Sequence, residues 1–217
     1  MNGKLIWGAF WIGLAAVVWA GVGFVGANWT ALAVTVAIAV VYVAGAQELR
    51  RFRDATRSLA TALAANAEPV GDPADWLAGI DTSLRDAVRA RIDGARVALP
   101  GPALTPYLVG LLVMLGMLGT FLGMVVTFRG AVFALEGSAD LTAMRAALAA
   151  PIRGLGFSFG ASVAGVAASA MLGLMSALCR RERLLLAREL DQRIATVLRP
   201  FSRAHRIDET ARAMRTQ

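Results

Sequence analysis

Small and hydroxyl-bearing side chains recur at helical spacing in two long apolar segments of the sequence. The first small-residue stripe, in residues 108–128, has spacing i, i+4, i+7 and i+11 and consists of Gly116, Thr120, Gly123 and Thr127, with Gly119 beside it. The second stripe, in residues 154–178, has the same spacing and consists of Ser158, Ser162, Gly165, Ser169, Gly173 and Ser176. Each stripe lies on one helix face. Such a face can let two backbones approach closely, or its hydroxyl oxygens can interact with water or a cation.

Groups that catalyse reactions are missing from these segments. They contain no acid, lysine or histidine, and the sole histidine, His205, lies in the polar tail. The sequence has no phosphate-binding loop, no cluster of metal ligands and no nucleophile beside a base. We therefore expect no enzymatic activity, metal or cofactor. Because no group in the stripes titrates near neutral pH, proton transfer through them requires an acid from a partner. On spacing alone, glycine-mediated helix packing is the simpler interpretation.

Composition and apolar run lengths predict an all-α integral membrane protein with four transmembrane helices and cytoplasmic helical extensions. The 217 residues are 57% hydrophobic, and no charge falls between Arg96 and Arg129. About 20 apolar residues span a bilayer core. The uncharged run 5–46 is too long for one span, and the break at 26–28 divides it into a hairpin of helices 5–26 and 29–46. Spans 104–128 and 154–178, joined by 129–152, form the predicted pore core 104–178. The face of the first stripe's helix that includes Leu112 and Met114 is expected to face lipid or bulky neighbours.

Arginine placement predicts the topology. Arginines follow the second and fourth spans closely, at positions 50, 51, 53 and 57 and at positions 180, 181 and 183. The positive-inside rule then makes the region 47–103 and the tail 179–217 cytoplasmic, 129–152 periplasmic, and both termini cytoplasmic, in a bacterial inner membrane. The same rule explains the net charge of +7 without nucleic-acid binding.

Local patterns predict further helices in the extramembrane regions. The second helix is expected to continue past residue 46, and Ser83 with Asp86 has capping-box spacing. Two apolar faces follow helical periods, namely Leu84, Val88 and Ile92, and Leu186, Leu190, Ile194, Val197 and Phe201. A surface helix over 141–148 is expected to end where Pro151 opens the last span. Arg153 either extends to water or pairs with an acid on a partner.

Two of these segments resemble one protein family. The run GMLGTFLGM at 116–124 resembles the G-L-L-G-T-V-x-G pattern of the MotA/TolQ/ExbB family of ion-driven motor subunits. The segment from Pro151 through 161–165, ASVAG, resembles the second pore helix of that family. On this matching Thr120 takes the place of the family's pore threonine, Ser162 that of a second threonine, and Phe157 stands where TolQ-like members have a glutamate.

The resemblance implies a function and a set of partners. It implies a proton- or sodium-driven stator, a pentamer around a MotB/ExbD/TolR-like dimer in which each partner contributes one membrane helix with an aspartate. The ion-pathway or partner-facing residues are then Thr120, Ser158, Ser162, Gly165 and Ser169. Gly116, Gly119, Gly123 and Gly173 are expected to pack helices. Two alternatives remain: a passive membrane scaffold whose basic tail binds something cytoplasmic, and a partner-free channel, which the lack of intramembrane charge disfavours.

Overall fold

The computed structural model describes residues 2–25, 29–65, 73–136, 141–196 and 214, with the backbone alone at 2, 73–75, 130–131, 133–136 and 141–158. These residues form six helices and no strand: α1 (Asn2–Phe24), α2 (Trp29–Ala65), α3 (Pro73–Ala78), α4 (Thr82–Ile92), α5 (Thr105–Glu136) and α6 (Leu141–Ala195). Helices α1, α2, α5 and α6 are each long and apolar enough to cross a membrane. The predicted all-α class with four such helices is therefore confirmed.

Two helices are longer than the sequence patterns indicate. α5 continues to Glu136, and α6 begins at Leu141 and runs through Pro151 without a break. The prediction that Pro151 opens the last helix is thus wrong. The alanine-rich run 141–150 has high helix propensity, and membrane helices tolerate a proline where neighbouring groups satisfy the carbonyl that it frees. The predicted turn at 26–28 lies outside the described residues.

The chain divides into two compact units. The first consists of Met1–Glu48 and Ala103–Ser176, and the second of Leu49–Pro102 and Ala177–Gln217. The divisions fall near the boundaries predicted at 46, 103 and 178. The assignment of these parts to membrane, cytoplasm and periplasm stays a prediction.

The second unit has an apolar core of its own. It is built from residues of α2, α4, α6 and the α3–α4 turn: Ala55, Leu59, Leu63, Ile80, Leu84, Val88, Ile92 and Leu190, with Trp76, Leu186 and Ile194 packed against them. The indole Nε1 of Trp76 also donates to the carbonyl of Ala62 at 3.0 Å. Both predicted apolar faces are therefore confirmed where they are described. Val197 and Phe201 lie outside the described residues.

Helix α4 begins with a different cap from the predicted one. Asp81 is the N-cap, and its carboxylate accepts hydrogen bonds from the Ser83 amide at 2.9 Å and the Ser83 hydroxyl at 2.7 Å. The predicted Ser83–Asp86 capping box is therefore wrong, because Ser83 already lies inside the helix. The two hydrogen bonds favour the ionised carboxylate and hold the pKa of Asp81 below its ordinary value. After the helix, Gly94 has a φ of +92°, a conformation that glycine adopts without strain.

Candidate functional site

Helices α5 and α6 meet backbone to backbone in the first unit. A Cβ atom at Gly165 would lie 2.7 Å from the Cα of Gly116 and 2.7 Å from the carbonyl oxygen of Leu112. A Cβ at Gly116 would lie 3.2 Å from the Cα of Gly165 and 3.3 Å from the carbonyl oxygen of Ser162. Both sets of neighbours are backbone atoms, which cannot rotate away. An added Cβ at Gly165 therefore forces the backbones apart, and one at Gly116 requires a smaller shift; we call this close approach the glycine contact.

The two helices run antiparallel, as three contacts show. The Ser169 hydroxyl donates to the Val109 carbonyl at 2.9 Å, Gly165 meets Gly116, and a Cβ at Gly119 would lie 2.7 Å from the Cβ of Ala161. Residue numbers rise along α5 as they fall along α6. The same register places the two predicted hydroxyl residues, Thr120 on α5 and Ser162 on α6, at nearly the same level along the helix pair.

Helix α2 packs against both members of the pair. A Cβ at Gly119 would lie 3.0 Å from Val34 Cγ1, and one at Gly45 would lie 2.6 Å from Leu172 Cδ2. In each contact a glycine on one helix leaves room for a branched side chain from another helix. They fix α5 and α6 against α2 as a compact group.

Helix α1 is held to α2 by a buried tyrosine. The Tyr42 ring stacks on Phe10 with centroids 5.8 Å apart, and its hydroxyl lies 3.0 Å from the Phe10 carbonyl and 3.3 Å from the Ala9 carbonyl. A Cβ at Gly13 would collide with the Tyr42 hydroxyl. At the C-terminal end of α1, the Phe24 ring occupies the space over Gly160. The four long helices thus form one bundle around the glycine contact.

The hydroxyl groups near the glycine contact differ in their hydrogen bonds. Thr120 Oγ1 donates to the Gly116 carbonyl at 3.0 Å, and Thr127 Oγ1 donates to the Gly123 carbonyl at 2.7 Å. A threonine that donates its proton to its own helix keeps oxygen lone pairs free to accept a proton or bind a cation. The Ser162 hydroxyl makes no hydrogen bond with another described residue. Thr120 and Ser162 are both half-buried, at the edge of the contact.

The second stripe serves mainly to pack helices inside one chain. Gly165 and Ser169 are buried between α5 and α6 within one chain, and the ion-pathway or partner-facing role of the stripe stays a prediction. Gly123 is also buried, whereas a Cβ at Gly173 would come no nearer than 4.0 Å to Val109 Cγ1. The side chains of Ser158 and Arg153 lie outside the described residues.

The opposite faces of the helix pair are exposed and apolar. On α5 the exposed face follows helical spacing through Tyr107, Leu111, Met114, Met117, Phe121 and Phe128, and on α6 through Phe159, Val163, Val166 and Leu174. Leu112 is fully buried, so of the two predicted surroundings, lipid or bulky neighbours, it has protein neighbours. It lies one helical turn before Gly116 and therefore shares the buried face.

An acid that the sequence analysis did not single out caps α5. The Glu48 carboxylate accepts hydrogen bonds from the Leu104 amide at 2.8 Å and from the Thr105 hydroxyl at 2.6 Å. It thereby satisfies donors at the start of the helix and places a negative charge at its positive end. In the sequence Glu48 is recognisable because it is the lone acid between an apolar span and four arginines.

A buried arginine organises the second unit. Arg183 is 6% exposed, lies over the Phe52 ring at 3.5 Å, and donates to the Phe52 carbonyl and the Thr56 hydroxyl at 2.7 Å each and to the Pro100 carbonyl. It therefore ties α2 and α6 to the loop before α5. In the sequence, Arg183 follows the apolar residues Met175 and Cys179 at intervals of four residues, and this helical spacing indicates that the arginine faces inward.

The charge content of the bundle limits what it can do alone. Residues 105–128 and 159–178 contain no charged side chain. Within the described part of the chain, no group of three His, Cys, Asp or Glu side chains is placed to hold a metal ion. These two segments offer hydroxyl oxygens and apolar surface, but no acid, lysine or histidine. Comparisons with protein-family models, curated proteins and solved structures found no match to this chain.

Proposed function

We propose that this chain is an ion-driven membrane motor subunit, several copies of which, forming a pentamer, surround a partner dimer and convert ion flow into rotation or mechanical work. The observation that carries the proposal is the placement of Thr120 and Ser162 at one level of a rigid, glycine-packed helix pair. Rigid packing is what a helix pair needs if it is to guide a moving partner rather than deform with it.

The titratable group in this proposal belongs to the partner. The partner is a MotB/ExbD/TolR-like dimer whose single membrane helices each carry an aspartate. Burial away from water favours the protonated form of such a carboxyl, whereas a facing hydroxyl donates to the ionised form and favours it. The half-buried Ser162 hydroxyl, which has no described hydrogen-bond partner, is placed to supply that donor. Protonation of the aspartate then depends on its position in the ring.

A passive membrane scaffold is the second candidate, and one observation favours it. Gly165 and Ser169 are used within the chain, so helix packing alone accounts for much of the second stripe. In a scaffold, Thr120 and Ser162 have no role beyond packing. The two candidates therefore differ in what the loss of those two hydroxyls does.

The test removes both hydroxyls together. Thr120→Val with Ser162→Ala is expected to leave the complex with the partner assembled, because both changes nearly conserve shape. We expect proton flux into proteoliposomes containing that complex, driven by an imposed membrane potential, to fall by about tenfold or more, because a hydrogen bond to an ionised carboxylate contributes roughly 1.5–3 kcal/mol. The matched control is Thr127→Val, the same change on the same face at another level, which should retain flux.

Two outcomes would overturn the proposal. One is full flux in the Thr120→Val, Ser162→Ala complex at unchanged particle size. The other is equal proton flux through liposomes that contain this chain without any partner. A complex that assembles but shows no ion-dependent flux even with native residues supports the scaffold instead.

A further inference from the structure

The arginines at the start of the second unit fall into two sets. Arg53 pairs with Glu182 at 3.5 Å, and Arg183 is buried against α2. By contrast, Arg51, Arg180 and Arg181 are exposed. Among the described residues, these three have no ion pair or hydrogen-bond partner for their side chains. We name them the basic collar.

Contacts inside the second unit show that the collar lies at one level. Arg183 contacts Phe52 and Thr56, which are 131 and 127 positions earlier in the chain, and Arg53 pairs with Glu182. One level earlier on both helices, Gly45 lies against Leu172, so residue numbers rise together along α2 and α6 and the two segments run parallel in this register. Arg180 and Arg181 consequently lie level with the α2 turn that contains Arg51.

The collar follows the apolar segments at a distance that fits a lipid headgroup layer. Arg51 comes five residues after Ala46, the end of the uncharged run on α2, and Arg180 comes two residues after Leu178 on α6. At 1.5 Å per residue these separations are about 7.5 Å and 3 Å along continuous helices. The headgroup region adds roughly 5–7 Å to each side of the hydrocarbon core. Long arginine side chains reach across the remaining difference.

We propose that the basic collar binds the phosphate groups of acidic phospholipids in the adjoining leaflet. The guanidinium fork matches phosphate oxygens in a bidentate way, and several cations next to a span attract anionic lipid. This placement favours lipid over nucleic acid, because the collar adjoins apolar spans. The inference does not depend on the proposed motor function, since an anchored scaffold has the same collar.

The test compares two lipids on the purified full chain in detergent micelles by native mass spectrometry. We expect dioleoylphosphatidylglycerol to bind more tightly than dioleoylphosphatidylcholine. Arg180→Gln with Arg181→Gln should weaken phosphatidylglycerol binding by about 30-fold in total. Each lost charge then weakens binding by roughly tenfold or less. The matched control, Arg89→Gln with Arg188→Gln, removes the same charge from exposed positions farther from the spans and should retain binding.

Several outcomes would overturn the proposal. Equal binding of both lipids, or unchanged binding in the Arg180, Arg181 variant, means that the collar does not recognise acidic headgroups. Inorganic phosphate that displaces the lipid at millimolar concentration assigns the collar to a simple anion. A 20-nucleotide RNA that binds the native chain and not this variant assigns it to nucleic acid.

Discussion

Gly165→Leu is expected to force α5 and α6 apart and to lower the free energy of unfolding by about 3 kcal/mol, the upper end of the usual cost of overpacking. The reason is that even the first added atom would meet the Gly116 Cα and the Leu112 carbonyl oxygen at 2.7 Å. Those atoms belong to a helix backbone and have no rotamer to change. Gly165→Ala should therefore already be destabilising, although alanine favours a helix over glycine.

The matched control lies on the facing helix. Gly110 on α5 has no atom within 4 Å of an added Cβ, so Gly110→Leu adds the same side chain into open space. Thermal unfolding of the purified variants in one detergent measures the difference. Equal stability of Gly165→Leu and Gly110→Leu would show that the glycine contact is not present in the folded protein.

Arg183→Met is expected to destabilise the second unit by about 3 kcal/mol, since it removes the hydrogen bonds that a buried charged group donates to the Phe52 and Pro100 carbonyls and the Thr56 hydroxyl. The Phe52 carbonyl retains the Thr56 hydroxyl as a donor at 2.7 Å, so the Pro100 carbonyl is the group left with least compensation. Methionine preserves much of the buried volume, and the effect thus reports the hydrogen bonds and the charge rather than a cavity. Arg183→Lys should recover little, because an ammonium group lacks the planar fork and the stacking surface.

Hydrogen exchange separates this effect from general loss of structure. Amides in 95–101 should exchange faster in Arg183→Met, whereas α4 retains its Asp81 cap. Arg181→Met is the control, because Arg181 is exposed on the same helix and should change stability by less than about 0.5 kcal/mol. Unchanged exchange in 95–101 of the Arg183 variant would contradict the role given to this side chain.

The apolar periodicity of the sequence predicted the long helices and the buried faces well. Leu84, Val88 and Leu190 were assigned to the core from spacing alone, because a 3.6-residue period reports burial directly. Pro151 was misread, since a proline is a local signal and the alanine-rich turns before it were strong enough to continue the helix. Leu112 lies one helical turn before Gly116, so its spacing places it on the buried face of α5 and not on the exposed face that includes Met114.

The candidate site was predicted only in part, for a physical reason. Spacing identified Gly116 and Gly165 as residues of close contact, but it cannot say whether the contacting helix belongs to the same chain or to another. The structure places them against each other, which leaves Thr120 and Ser162 at the edge. Polar contacts such as those of Glu48 and Arg183 join residues that are far apart in sequence, and periodicity within one helix does not encode their partners.

The mass of the intact particle tests the central claim most directly, because an ion-driven subunit without an acid in its spans must act with a partner. The measurement is native mass spectrometry of the complex extracted from its own cells in mild detergent. The account predicts a pentamer of this chain with two copies of a protein that has one membrane helix and an intramembrane aspartate. A particle that contains this chain alone, as a single copy, would contradict it.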